Sequence, residues 1–163
     1  MASEFRSKRI SRSATITLQT PLSEGFPLFG PIREKDWASG WDPQILYPTN
    51  DLVEERMVFK TQHPHGHAES DFTWIVSRYL PEQTLIEYLV FTSERLWWIT
   101  IQCREGIADR TTEADITYTY TGLTSMGNEI NEKALQFMFA HNLQDWEVAI
   151  NHYIQTGKKV EHP

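Results

Sequence analysis

The chain has 163 residues, 40% hydrophobic, 12% aromatic and 23% charged, the composition of a single globular domain rather than a disordered or fibrous chain. Its apolar runs, such as Tyr88 to Phe91, fall far short of the roughly 20 residues that cross a bilayer. No apolar stretch follows the basic start Met1 to Arg12, so a secretory signal is not expected and the reading is cytoplasmic. Four of the 15 Lys/Arg and one of the 22 Asp/Glu lie in the first twelve residues, so residues 13–163 carry 11 basic against 21 acidic groups. That acidic body lacks the clustered cations that displace counterions from phosphates, so nucleic acid is not an expected partner.

The expected organisation is a flexible basic arm at 1–11, one domain at 12–158 and a short tail at 159–163. Ser13 to Thr20 alternates polar residues with Ile16 and Leu18 as a strand does, and Pro21 ends it. A short helix is expected from Glu24 to Phe29 with Ser23 as its cap, and a second helical turn from Ile32 to Trp37, before Gly40, Asp42 and Pro43 impose a loop. Strands then follow at Leu52–Thr61, Asp71–Leu80, Thr84–Phe91, Leu96–Arg104 and Thr111–Thr121, separated by turn compositions and so read as antiparallel hairpins. The last is the clearest, with Ala114, Ile116, Tyr118 and Tyr120 on one face and Asp115, Thr117, Thr119 and Thr121 on the other. Met126 to Thr156 reads as a long amphipathic helix whose apolar stripe changes phase near His141 to Leu143, where Asn142 offers a second cap; Gly157 sits just past its end.

A curved sheet wrapped around that helix would bury both apolar faces, an α+β arrangement. Phe26-Pro27-Leu28-Phe29, Arg33-Glu34-Lys35-Asp36-Trp37, Gly40-Trp41-Asp42-Pro43 and Leu46-Tyr47-Pro48 resemble the opening of a bacterial branch of the START-like, or SRPBCC, superfamily. Val58-Phe59-Lys60-Thr61, Trp74-Ile75-Val76, Tyr118 to Leu123 with Gly127-Asn128, and Ala149 through Gly157 resemble its later strands and helix. The resemblance implies a helix-grip fold: six or seven antiparallel strands around a long C-terminal helix, two short helices after the first strand, and an apolar cavity between sheet and helix. Members bind lipids, sterols or polyketides, and some are aromatases, cyclases or chaperone activators, so fold alone does not decide function.

On the inferred inward faces lie Met57, Phe59, Trp74, Val76, Ile86, Tyr88, Ile99, Ile101, Tyr118 and Tyr120, opposite Phe137, Met138 and His141. Rings and a flexible methionine would line an adaptable pocket, with tyrosine hydroxyls and an imidazole to orient a ligand; the same residues would equally fill a core. A one-residue slip exchanges the faces of a strand, and Leu85, Leu89 and Phe91 offer a competing face for Thr84–Phe91. Trp37 and Trp41 would close the pocket mouth while Glu34 positions a polar group, or all three would pin the loop, with Glu34 accepting bonds from its amides.

Catalytic groups are sparse. No nucleophile elbow or phosphate-cradling glycine loop is present, and Cys103, a lone cysteine without an obvious histidine partner, reads as a small buried hydrophobe. For an enzyme, His141 as acid/base with Tyr118, Tyr120 or Glu34 would suit dehydration or cyclisation of a polyketide-like substrate. His63, His65 and His67 read as a hairpin tip with adventitious metal affinity. Binding of a hydrophobic small molecule, with no cofactor and no structural metal, is the leading reading. A cyclase or dehydratase, or a protein-interaction module using the outer sheet face (Glu54, Arg56, Lys60, Arg78, Glu87), is the alternative.

Overall fold

The computed structural model describes residues 4–62 and 71–160. Their strands are β1 (Arg9–Leu18), β2 (Gln44–Tyr47), β3 (Val58–Thr61), β4 (Phe72–Leu80), β5 (Leu85–Phe91), β6 (Arg95–Glu105) and β7 (Thr112–Gly122). They form one seven-stranded antiparallel sheet in the order β1-β7-β6-β5-β4-β3-β2. Between β1 and β2 lie α1 (Leu22–Gly25), a 3-10 turn (Phe26–Phe29) and α2 (Glu34–Trp37); after β7 come α3 (Ser125–Phe137), a π-type turn (Met138–Asn142) and α4 (Leu143–Thr156). This is the helix-grip arrangement, with the interior between the concave sheet face and the C-terminal helix.

Period-2 alternation sets that interior. Register places Phe59, Trp74, Val90, Trp97 and Tyr120 side by side across five strands, and beside them Val76, Tyr88, Ile99 and Tyr118 form a second row. The contested strand therefore turns Ile86, Tyr88 and Val90 inward, each at most 2% exposed, while Leu89 and Phe91 take the outer face. In β4 a bulge between Val76 and Arg78 shifts the alternation by one, so that Tyr79 also points inward and stacks on Phe26 at 6.3 Å.

Several boundaries differ from expectation, each for a local reason. β1 begins at Arg9 rather than Ser13, because its first turns of chain are polar on the outer face and gain hydroxyl pairs instead of apolar burial: Ser11 to Thr119 at 3.0 Å, Ser13 to Thr117 at 2.6 Å. The Ser7 hydroxyl donates to the Gly122 carbonyl and the Asn128 amide to the Arg6 carbonyl, so the arm expected to be free through residue 11 is held from Arg6 onward. Ser23 does not cap α1; Pro21 occupies that position and its carbonyl accepts from the Glu24 and Gly25 amides. The expected strand from Leu52 is regular only from Val58, and β2, a four-residue edge strand exposing Leu46 and Tyr47, has no alternation from which to read it. Asn142 makes no side-chain cap, since the chain stays helical through the π-type turn.

The helix is anchored at its start. The Thr124 hydroxyl oxygen accepts from the Gly127 amide at 3.0 Å and its proton goes to the Glu94 carboxylate. Buried Arg95 lies 4.3 Å from the Trp97 ring centroid and donates to Asn131 Oδ1 at 3.4 Å, joining β6 to α3. At the far end Gly157 adopts φ 72° and its amide closes the last turn on Tyr153. Along the way Glu147 accepts from the Thr17 amide and Asn151 bonds both Gln19 and Thr17, covering the open edge of β1. No helix among the described residues is long and apolar enough to cross a membrane.

Gly127 is where helix and sheet touch most closely: a Cβ there would stand 1.8 Å from the Glu94 carbonyl oxygen. Gly127→Ala should therefore force the helix start off the β5–β6 turn and cost about 1–3 kcal/mol, read as a lower midpoint in urea denaturation with an unchanged slope.

Candidate functional site

The segment 22–41 runs beneath the sheet and presents its side chains to the interior. Phe29 is fully buried, and its carbonyl accepts from the Tyr88 hydroxyl at 2.6 Å, which ties the segment to the middle of β5. One turn later α2 directs Glu34 and Trp37 inward, three residues apart and so on one face, and leaves Lys35 and Asp36 outside, where Asp36 pairs with Arg33 at 2.9 Å. The Trp37 indole donates to the Leu28 carbonyl and the Trp41 indole to the Pro31 carbonyl, both at 2.7 Å, so both tryptophans pin the loop.

From Trp41 an unbroken series of ring contacts leads inward. Trp41 meets Trp74 edge-on at 5.3 Å, Trp74 stacks on Phe59 at 5.4 Å, and both Trp74 and Phe59 meet Tyr88 edge-on. On the helix side Tyr118 contacts Phe139 and Trp146, and Trp146 meets Trp37 at 5.9 Å. Trp41 and Trp74 also form the wall of an open groove of about 580 Å³, completed by Ser39, Lys60 and Asp71 among others. The groove lies over the β3–β4 side of the sheet.

Met57, Phe59, Val76, Tyr88, Ile99, Ile101, Tyr118 and Tyr120 all face the interior and are 3% exposed or less; Trp37 joins them, and Trp41, Trp74 and Met138 are half-buried against them. Phe137 and His141 do not. Phe137 is 58% exposed, and the two rings contact each other on the outer side of the helix. The π-type turn inserts one extra residue, so the inward stripe passes from Ala134, Leu135 and Met138 to Leu143, Trp146 and Ile150 and leaves His141 outside. Sequence reasoning passed over Phe29, Trp97 and Trp146 as interior rings. Trp97 shares the parity of Ile99 and Ile101, which is the signal that could have found it. His63, His65 and His67 lie outside the described residues; among those described, no three His, Cys, Asp or Glu side chains stand together as a metal site.

Electrostatically the interior centres on Glu34. The residue is 8% exposed and its carboxyl has no hydrogen-bond partner among the described residues; loop amides, one expected partner, do not reach it. Burial alone raises its pKa well above the usual carboxylate range. Burial likewise raises Tyr88 and Tyr118, and Glu34 adds to the shift of each, which places all three groups within one electrostatic neighbourhood. Tyr120 is also raised by burial, against the opposing pull of Arg95. Burial pushes the Cys103 thiol up to about 12, too high for a thiolate nucleophile at neutral pH. The interior thus offers hydrogen-bonding acids in an apolar setting.

No protein-family model matches the chain, and no curated protein matches it in sequence. Solved structures do. Norcoclaurine synthase from Thalictrum flavum superposes with a TM-score of 0.67 at 10% identity, covering 97% of each chain. Ara h 8.0201 gives 0.65 at 12% identity over 91% of this chain and 99% of that one. An uncharacterised protein from Bacillus thuringiensis gives 0.60 at 18% identity over 88% and 97%. The fold is that of the START-like helix-grip proteins.

Because its folded-state pKa is raised, Glu34 holds its proton in the native state at pH values where the unfolded chain has released it. Stability is thus undiminished below about pH 4.5, the ordinary value, and falls as pH rises from there towards the folded pKa. Glu34→Gln has no such proton to lose. Urea denaturation at a series of pH values should show the variant gaining on the wild type steadily above pH 4.5; a constant difference would mean that the carboxyl is not buried.

Proposed function

We propose that the protein binds a hydrophobic small molecule between the concave sheet face and the helix, admitted through the groove at Trp41 and Trp74. One observation carries this reading: the unbroken series of aromatic contacts from that open groove to Tyr88, deep in the interior beside Glu34. Close-packed rings with few polar groups suit an apolar, aromatic-sized ligand, which would replace contacts between rings with its own. The norcoclaurine synthase of the same fold is seen in complex with dopamine and hydroxybenzaldehyde, so the architecture accommodates aromatic molecules in that protein. A second reading, acid catalysis of the cyclase or dehydratase type, draws support from Glu34, a buried carboxyl that keeps its proton above the ordinary range. His141, exposed on the far side of the helix, has no part in either.

Native mass spectrometry of the purified protein, followed by solvent extraction, should reveal a retained apolar molecule or, failing that, binding of an added aromatic probe such as 2-acetylnaphthalene. At about a hundredfold excess over Kd the probe should raise Tm by roughly 5–10 °C. Trp74→Leu, checked for folding by near-UV circular dichroism, should weaken the probe about threefold to tenfold through lost ring contacts. No retained molecule together with no probe-induced shift would sink the proposal.

A further inference from the structure

Two polar groups that act on one another face the interior unpaired. The Glu34 carboxyl and the Tyr118 hydroxyl, on residues 8% and 2% exposed, have no hydrogen-bond partner among the described residues. They differ from the Asn131 amide nitrogen, also unpartnered, which is sealed off entirely, whereas the residues Glu34 and Tyr118 each keep a trace of accessible surface. Other candidates in the neighbourhood are already engaged. The Tyr88 hydroxyl gives its proton to the Phe29 carbonyl and the Trp37 indole to Leu28, while Tyr120 lies towards Arg95, whose guanidinium is 6.0 Å from its ring.

We propose that Glu34 and Tyr118 together form a hydrogen-bonding anchor for a carbonyl oxygen, the polar end of a ketone or aldehyde whose remainder is apolar. This rests on the reading that the interior takes a hydrophobic ligand. A carbonyl oxygen has two lone pairs and no proton, so it can accept from the carboxyl O–H and the phenol O–H at once and satisfy both donors. Burial raises the pKa of the carboxyl and so favours its protonated, donating form. An ammonium ligand would require both its own charge and that of Glu34 to be stripped of water.

Matched probes test the anchor: 2-acetylnaphthalene carries the carbonyl, and 2-ethylnaphthalene replaces it with hydrocarbon of nearly the same shape. Quenching of tryptophan fluorescence reads both affinities in the wild type, Glu34→Leu and Tyr118→Phe, each variant checked by near-UV circular dichroism. The wild type should prefer the ketone by about tenfold, and each substitution should bring the ratio of the two affinities down towards one. Equal affinity of the two probes for the wild type, or a preference that survives both substitutions, overturns the anchor while leaving hydrophobic binding intact. Stronger binding of 2-naphthylmethylamine than of the ketone, lost in Glu34→Leu, would overturn it in favour of a cation site. If neither naphthalene binds the wild type, the anchor and the hydrophobic-binding reading fall together.

Discussion

A single helix has to cover the concave face of seven strands, and most features of the molecule follow from that mismatch. Six strand spacings of about 4.8 Å make a sheet roughly 29 Å wide, whereas a helix with its side chains is about 10–12 Å across. The helix packs on β1, β6 and β7, where its side chains also cap the edge of β1. The β3–β5 half is left to large rings and to the 22–41 segment. Phe59, Trp74 and Tyr88 fill with aromatic volume the space a second helix would have occupied, and where the 22–41 segment thins out beside Trp41 the groove opens. The high aromatic content is thus a geometric requirement before it is a functional one.

Within that patch α2 fixes a carboxyl where an apolar side chain would be cheaper. Glu34 cannot withdraw without moving Trp37, and Trp37 is held by the Leu28 carbonyl and by the edge of Trp146. A buried polar group without a partner costs about 1–3 kcal/mol, more if it is charged. Leucine at the same place would avoid that cost and fill similar volume. Folding therefore gives no reason for the acid, which leaves interaction with something absent from the folded chain as the explanation that fits its position.

Much of this was legible beforehand, for reasons that differ by element. β7 alternates so strictly that its inward residues could be assigned without a structure, and antiparallel pairing carried the assignment to β6. The family resemblance anticipated the helix-grip arrangement. What could not be read was non-periodic: the bulge that turns Tyr79 inward, the edge strand β2 with exposed residues on three of its four positions, and the polar first half of β1, which is held by hydroxyl pairs. For the interior, residue type was a good guide within strands, where parity has only two answers. It was a poor guide in the helix, where one added residue rotates every later side chain by about 100°.

That rotation bears on the site as well as on the helix. In an uninterrupted helix the stripe begun by Asn131, Leu135 and Met138 would continue through Asn142 and Asp145, polar residues unsuited to an aromatic interior. The wider turn at Met138–Asn142 absorbs one residue and brings Leu143, Trp146 and Ile150 round instead. Trp146 then reaches both Tyr118 and Trp37, one from the sheet and one from α2. The two groups of the proposed anchor, Tyr118 and Glu34, belong to those same two elements. A local change in helical hydrogen bonding thus bears on the site, because it brings round the indole that lies between the sheet and α2.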